Sequence, residues 1–208
     1  FIAAYEAERL YQLTRSAAEG KATTVTASSG MRVAFSEVTA NTAFSGVLRK
    51  WLASEASTTK GNGGGDDTKN PDVALASFDL IVAEEDFAVL PNAAALMRTA
   101  TTLVEKHLSS PKSASYLPYF PAAMKEAVEG QIKLLEEGTL QNADARKMFG
   151  EMARHASTFL ESHWFEGFLG SDHYGYILDL KAKEGIVPKL DQFQVIRVLG
   201  EGGFGQVI

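Results

Sequence analysis

Cysteine is absent from the 208 residues of this chain. That excludes a disulfide framework and any thiolate metal site, and it fits a reducing compartment. Positive charge is also scarce: Lys and Arg number 20 against 26 Asp and Glu, for a net charge of −6. No basic stripe of the kind that neutralises a phosphate backbone stands out, so nucleic acid is not an expected partner. No apolar run approaches the ~18 residues needed to span a bilayer, and no transmembrane segment is expected. Of the 6 prolines, Pro111, Pro118 and Pro121 crowd into one stretch, which marks Ser109 to Pro121 as a structured loop.

What is present is apolar and helical in its spacing. Hydrophobic residues make up 45% of the chain, enough for a real core in one or two domains. Phe1 to Glu19 sets Ile2, Tyr5, Leu10, Leu13 and Ala17 at mostly three- or four-residue steps and reads as an amphipathic helix, followed by a Thr/Ser-rich linker over Lys21 to Gly30. Phe35 to Glu55 carries Phe35, Val38, Phe44, Val47, Leu48, Trp51 and Leu52, with Asn41 and Thr42 expected to split it into two short helices. Ala56 to Pro71 holds four glycines between 61 and 65 and, beyond Ala56, nothing apolar, so it cannot bury enough surface to offset its ordering entropy and is expected as a mobile loop. A phosphate cradle is not expected there, because no strand leads in and Asp66 and Asp67 would repel phosphate.

Helical spacing resumes over Val73 to Leu90, with Leu75, Phe78, Ile81, Val82 and Phe87 inward and Glu84, Glu85 and Asp86 outward. The acidic triplet reads as a solvated face, since consecutive helical residues point in different directions and cannot converge on one ion. Further helices are expected over Ala93 to Leu108, over Ala122 to Glu137 with Gly138 as its stop, and from Asn142 or Ala143 through Met148, Phe149, Met152, Ala156, Phe159 and Leu160. A last short helix holds Phe165, Phe168 and Leu169. His107, His155, His163 and His173 have neither metal-ligand spacing nor a paired nucleophile and read as surface or packing residues. Eight or nine helices with no strand before Phe193 specify an all-α bundle.

The chemistry-bearing stretch lies last. Phe193-Gln-Val-Ile-Arg-Val-Leu199 runs into Gly200-Glu201-Gly202-Gly203-Phe204-Gly205, then Gln206, Val207 and Ile208. Gly-x-Gly-x-x-Gly lets backbone N–H groups approach phosphate oxygens with no Cβ in the way. A dinucleotide-binding loop must run into a helix, whereas the residues after Gly205 continue as strand, so the pattern is strand, glycine hairpin, strand.

Leu199 to Val207 resembles the glycine-rich loop of protein kinases, with an aromatic at the tip and a valine two residues past the last glycine. Phe159-Leu-Glu-Ser-His-Trp-Phe-Glu-Gly-Phe168-Leu169-Gly-Ser-Asp-His-Tyr174 resembles the closing signature of the regulator-of-G-protein-signalling (RGS) homology fold. Ala43 to Glu55 is similar to that fold's early Phe-x-x-(Phe/Trp)-Leu-x-x-Glu helix, and Phe78 to Phe87 to its Phe-x-x-x-Glu-aromatic helix. The two resemblances together, in this order and at this spacing, resemble the G-protein-coupled receptor kinases of the AGC group, and Lys189 to Val207 is similar to their domain junction.

The resemblance implies an RGS-like multi-helix bundle followed by a truncated β-hairpin from a kinase N-lobe. Residues 1–29 would be an N-terminal helix and linker, 30–178 the RGS homology domain with an insertion over 56–71, 179–192 a linker and 193–208 the start of the kinase domain. It implies ATP as the cofactor of the parent protein, with Leu199, Gly200, Glu201, Gly202, Gly203, Phe204, Gly205 and Val207 around it, and with the lysine, catalytic base and magnesium ligands beyond Ile208. The chain is thus expected to be an inactive N-terminal fragment of a Ser/Thr kinase with a protein substrate, cytoplasmic and peripheral at the membrane when complete. A G-protein α subunit or a receptor is the implied partner, and a Gα-binding or GTPase-activating module is the alternative function. Against acceleration of GTP hydrolysis, the positions where family members brace Gα with Asn and Arg hold Ser77 or a neighbour and the pair Glu166 and Gly167.

Overall fold

In the computed structural model, residues 32–58, 67–109, 111, 113, 115–183, 200–202 and 205–207 are described. The expected helix at 1–19, the linker at 21–30, the glycines at 61–65 and the link over 185–190 lie outside them.

Asn41 does two jobs where the first helical stretch breaks. Its extended backbone ends α1 (Phe35–Ala40), and its side-chain carbonyl accepts from the N–H groups of Ala43 and Phe44, capping α2 (Thr42–Thr58). Phe44, Val47, Leu48, Trp51, Leu52 and Ala56 form the buried stripe of α2. Because that stripe reaches Ala56, the helix runs two residues beyond it, so the loop expected from Ala56 starts later.

It also ends earlier. A 3₁₀ turn covers Asp67–Lys69, Asn70 caps by accepting from the Asp72 N–H, and Pro71, buried, occupies the first position of α3 (Pro71–Ala88), where its missing N–H costs nothing. Val73, Ala74, Ala76, Ser77, Phe78, Leu80 and Phe87 are buried along α3, which packs on α2 and on α7 below. Val82, expected inward, is instead 39% exposed.

Asn92 caps α4 (Ala93–Val104) through the Ala95 N–H. The helix expected to run to Leu108 widens at Glu105–Ser109 into one π-helical turn that buries His107 and Leu108. After the loop comes α5 (Ala122–Glu136), which stops at Gly138 as expected. Gly138 has φ 71°, its N–H donates to the Leu135 carbonyl and that of Thr139 to Leu134, a Schellman closure only glycine adopts without strain.

The single helix expected from Asn142 is two: α6 (Asn142–Ala145) and α7 (Gly150–His163). Between them the Arg146 guanidinium donates to the Leu90 and Pro91 carbonyls, at 2.9 and 3.3 Å, and Phe149 turns its ring edge-on to Phe87, with centroids 5.0 Å apart. Those tertiary contacts, with Gly150 as a weak helix former, outweigh the local periodicity. The expected short α8 (Phe165–Leu169) is present.

α9 (Asp172–Lys183) has no counterpart among the expected helices and runs across residue 178, so its last turns occupy the start of the expected linker at 179. Ser171 caps it, its hydroxyl accepting from the Tyr174 N–H, and Tyr174, Tyr176, Ile177 and Leu178 are buried. Nine α-helices among the described residues make the body all-α, and the only described strands are β1 (Gly200–Gly202) and β2 (Gly205–Val207).

Aromatic rings gather where α2 meets α8. Phe168, fully buried, lies 5.3 Å from Trp51 and 5.7 Å from Tyr174. Phe168→Ala is expected to lower unfolding free energy by about 3–5 kcal/mol, read as a shift of the urea midpoint, whereas Glu166→Ala, two residues away and exposed, is expected to leave it within ~0.5 kcal/mol.

Candidate functional site

Glycine occupies three of the six paired positions of the terminal hairpin. β1 and β2 pair antiparallel with Gly200 opposite Val207, Glu201 opposite Gln206 and Gly202 opposite Gly205. Gly202 and Gly205 face each other at the innermost pair, so no Cβ stands there, which suits close approach by a phosphate group. Of the expected site residues, Gly200, Glu201, Gly202, Gly205 and Val207 are therefore brought together, while Leu199, Gly203 and Phe204 lie outside the described residues.

The helical body offers a second surface around the loop before α5. Three ties hold that loop. The Leu117 N–H donates to the His107 carbonyl at 2.9 Å, His107 Nδ1 lies 2.9 Å from the Ser115 carbonyl, and the Tyr119 hydroxyl lies 2.8 Å from Ser77 Oγ. Tyr119 also stacks on Phe159, with centroids 4.3 Å apart and rings within 4° of parallel. Burial pushes its hydroxyl up to about 12, only partly opposed by the Ser77 hydrogen bond, so it stays a neutral structural group.

Ser77 is consequently no surface residue. Its hydroxyl donates to the Val73 carbonyl at 2.7 Å and is fully enclosed. Glu166 and Gly167 are exposed at the other candidate position, with Gly167 lying over the Trp51 indole. Next to the stacked Tyr119, a groove of about 260 Å³ is lined by Met124, Glu151, Arg154, His155 and Thr158. Arg154 faces Glu151 at 3.4 Å across one turn, both mostly exposed, so the groove carries little net charge. On α3, Glu84 is raised by partial burial and by the neighbouring Glu85. No group of three His, Asp or Glu among the described residues is placed to hold a metal.

Sequence spacing reads His107 as a surface or packing residue, and the structure buries it fully. With Nδ1 against a carbonyl, that nitrogen carries the proton and Nε2 is a buried lone pair without a partner. Burial, assisted by Lys106, lowers its pKa to about 4, so the ring is neutral at pH 7 and acts as a staple. No family model and no curated protein matches the chain.

Because His107 binds its proton more weakly folded than unfolded, its contribution is complete above the ordinary value of 6.5 and is lost as pH falls toward 4. At 1.36 kcal/mol per pH unit the full span is on the order of 3 kcal/mol. His173, lowered mainly by burial, acts in the same direction. Urea unfolding followed between pH 7 and 4 is expected to show falling stability, and His107→Gln is expected to flatten part of that slope while lowering stability at pH 7. A slope unchanged in the variant would show that His107 does not titrate in this window.

Proposed function

We propose that the chain is the RGS-like regulatory region of an AGC-type Ser/Thr protein kinase resembling the G-protein-coupled receptor kinases, joined to the glycine loop that opens the kinase domain. One observation carries this reading. Two of the three stretches that resemble the RGS fold, 43–55 and 159–174, pack on each other: Trp51 of the first lies 5.3 Å from Phe168 and 6.1 Å from Trp164 of the second. Sequence signatures a hundred residues apart that form one packing site behave as a single structural unit.

The hairpin register supports the nucleotide-binding half. On this reading the backbone N–H groups around Gly200, Gly202 and Gly205 lie over the ATP phosphates, while Leu199 and Val207 pack on the adenine and Phe204 covers the tip. Backbone donors of this kind position and neutralise charge, but transfer also needs a lysine, a base for the substrate hydroxyl and magnesium ligands. The proposal places these beyond Ile208. Translation of the gene past that codon is the direct test, with a Val-Ala-x-Lys strand, His-Arg-Asp and Asp-Phe-Gly expected in that order; an open reading frame that continues without them removes the kinase reading. Residues 1–208 alone are expected to transfer no phosphate from labelled ATP to protein substrates.

The second reading, a Gα-binding module, is favoured by the helical resemblance alone. Its GTPase-activating form is opposed by the enclosure of Ser77, whose hydroxyl is committed to Val73 and Tyr119. Glu166 and Gly167 also lack an arginine's planar set of donors, and Glu166 repels a carboxylate. Single-turnover GTP hydrolysis by several Gα subtypes is expected to rise less than tenfold with this domain present. A larger rise, worth about 1.4 kcal/mol of transition-state stabilisation or more, would make the second reading the better one.

A further inference from the structure

Glu151, Arg154, His155 and Thr158 recur at three- and four-residue steps, so one face of α7 forms one wall of the groove beside Tyr119, and Met124, in the first turn of α5, forms the other. None of these five residues belongs to the hairpin or to the stretches 43–55 and 159–174. The groove is therefore unused by either half of the proposed function.

His155, half-buried, is the residue held most firmly there. Tyr119 lies parallel to its imidazole, within 15° and with centroids 5.7 Å apart, and Phe120 leans on it at 5.6 Å. Tyr119 is itself fixed by Phe159 and Ser77, and Phe120 is buried, so the plane of the imidazole is set by packed neighbours before any guest arrives. Its Nδ1 is closed off from solvent and has no hydrogen-bond partner. Buried polar atoms almost always have one, so an exception on a residue that lines a groove calls for a partner from outside the chain.

We propose that the groove binds a small planar amide, a single heteroaromatic ring bearing a neutral carboxamide. Size sets the first limit, since about 260 Å³ lies below the usual range of drug-sized sites and admits one ring. Charge sets the second. The Glu151 carboxylate and the Arg154 guanidinium lie 3.4 Å apart, so a cationic guest meets Arg154 and an anionic one meets Glu151. A neutral amide instead accepts from the guanidinium and donates to the carboxylate, and because it carries both a donor and an acceptor it suits Nδ1 in either tautomer. The Thr158 hydroxyl donates to the Arg154 carbonyl at 3.1 Å, which leaves its lone pairs as further acceptors. Met124 supplies the apolar wall: a thioether packs favourably on an aromatic edge, and its unbranched chain repacks around a guest.

Titration of the full 208-residue chain with nicotinamide, followed by backbone amide chemical shifts, tests the site. Saturable shifts are expected at 124 and 151–158 with a dissociation constant of about 1–10 mM, the level a single-ring fragment reaches. Nicotinate adds a negative charge, benzamidine a positive one, and cyclohexanecarboxamide lacks the flat ring; each is expected to bind at least about threefold more weakly. His155→Ala is expected to weaken nicotinamide about tenfold. Arg154→Gln, at an exposed side chain that leaves the fold alone, is expected to weaken it about threefold and carries the readout should His155→Ala not fold. No saturation by about 50 mM, shifts confined to 200–207, an equal response to all four compounds, or an affinity unchanged in both variants would each overturn the proposal.

Discussion

The structure depends on α3 being buried along two sides at once. A helix that packs on one neighbour needs a single apolar stripe, but α3 lies between α2 and α7 and buries Val73, Ala74, Ala76, Phe78, Leu80 and Phe87 around much of its circumference. Ala74 and Ala76 lack bulk, which allows close approach of neighbouring backbones, while Phe78 near the middle and Phe87 near the C-terminal end are buried large rings. Buried among these is the Ser77 hydroxyl, which would cost about 1–3 kcal/mol unpaired. Its bonds to Val73 and Tyr119 remove that penalty and tie the loop before α5 to the central helix.

The same device recurs wherever an irregular segment meets the bundle. Irregular backbone leaves N–H and C=O groups without ladder partners, and each must find one if it is enclosed. His107 supplies them for Ser115 and Leu117, Arg146 for Leu90 and Pro91 just past the end of α3, and Tyr174 for Val33. Arg146 and Tyr174 reach main-chain groups more than fifty positions away, while His107 spans eight residues with its ring and ten with its own carbonyl. Apolar packing sets where the helices lie, and these few polar reaches set where the chain between them runs.

The hairpin at 200–207 follows different physics. Its two strands pair with glycine at both members of the innermost pair, and its interest lies in leaving that pair free of side chains. This separation of roles accords with the proposed function, in which the helical body regulates and the glycine loop contacts the nucleotide.

Local chemistry alone determined much of this protein. Asn41 as a helix break, Gly138 as a stop, the buried stripe from Phe44 to Leu52, the short aromatic helix at Phe165 and the strand-turn-strand character of the glycine run all follow from residue types and their spacing, because caps, periodicity and glycine conformations act within a few residues. Tertiary structure decided the rest. Residues 146–149 leave the helix because Arg146 and Phe149 gain partners on Leu90 and Phe87 more than fifty positions away. The π turn at Glu105–Ser109 forms where His107 turns inward to hold Ser115. α9, signalled locally only by Ser171 and Asp172, is held by Val33 and Glu37 from the start of the body. Side-chain partners brought together by folding have no expression in local spacing, and their hydrogen bonds and buried rings outweigh the few tenths of a kcal/mol per residue by which propensities differ.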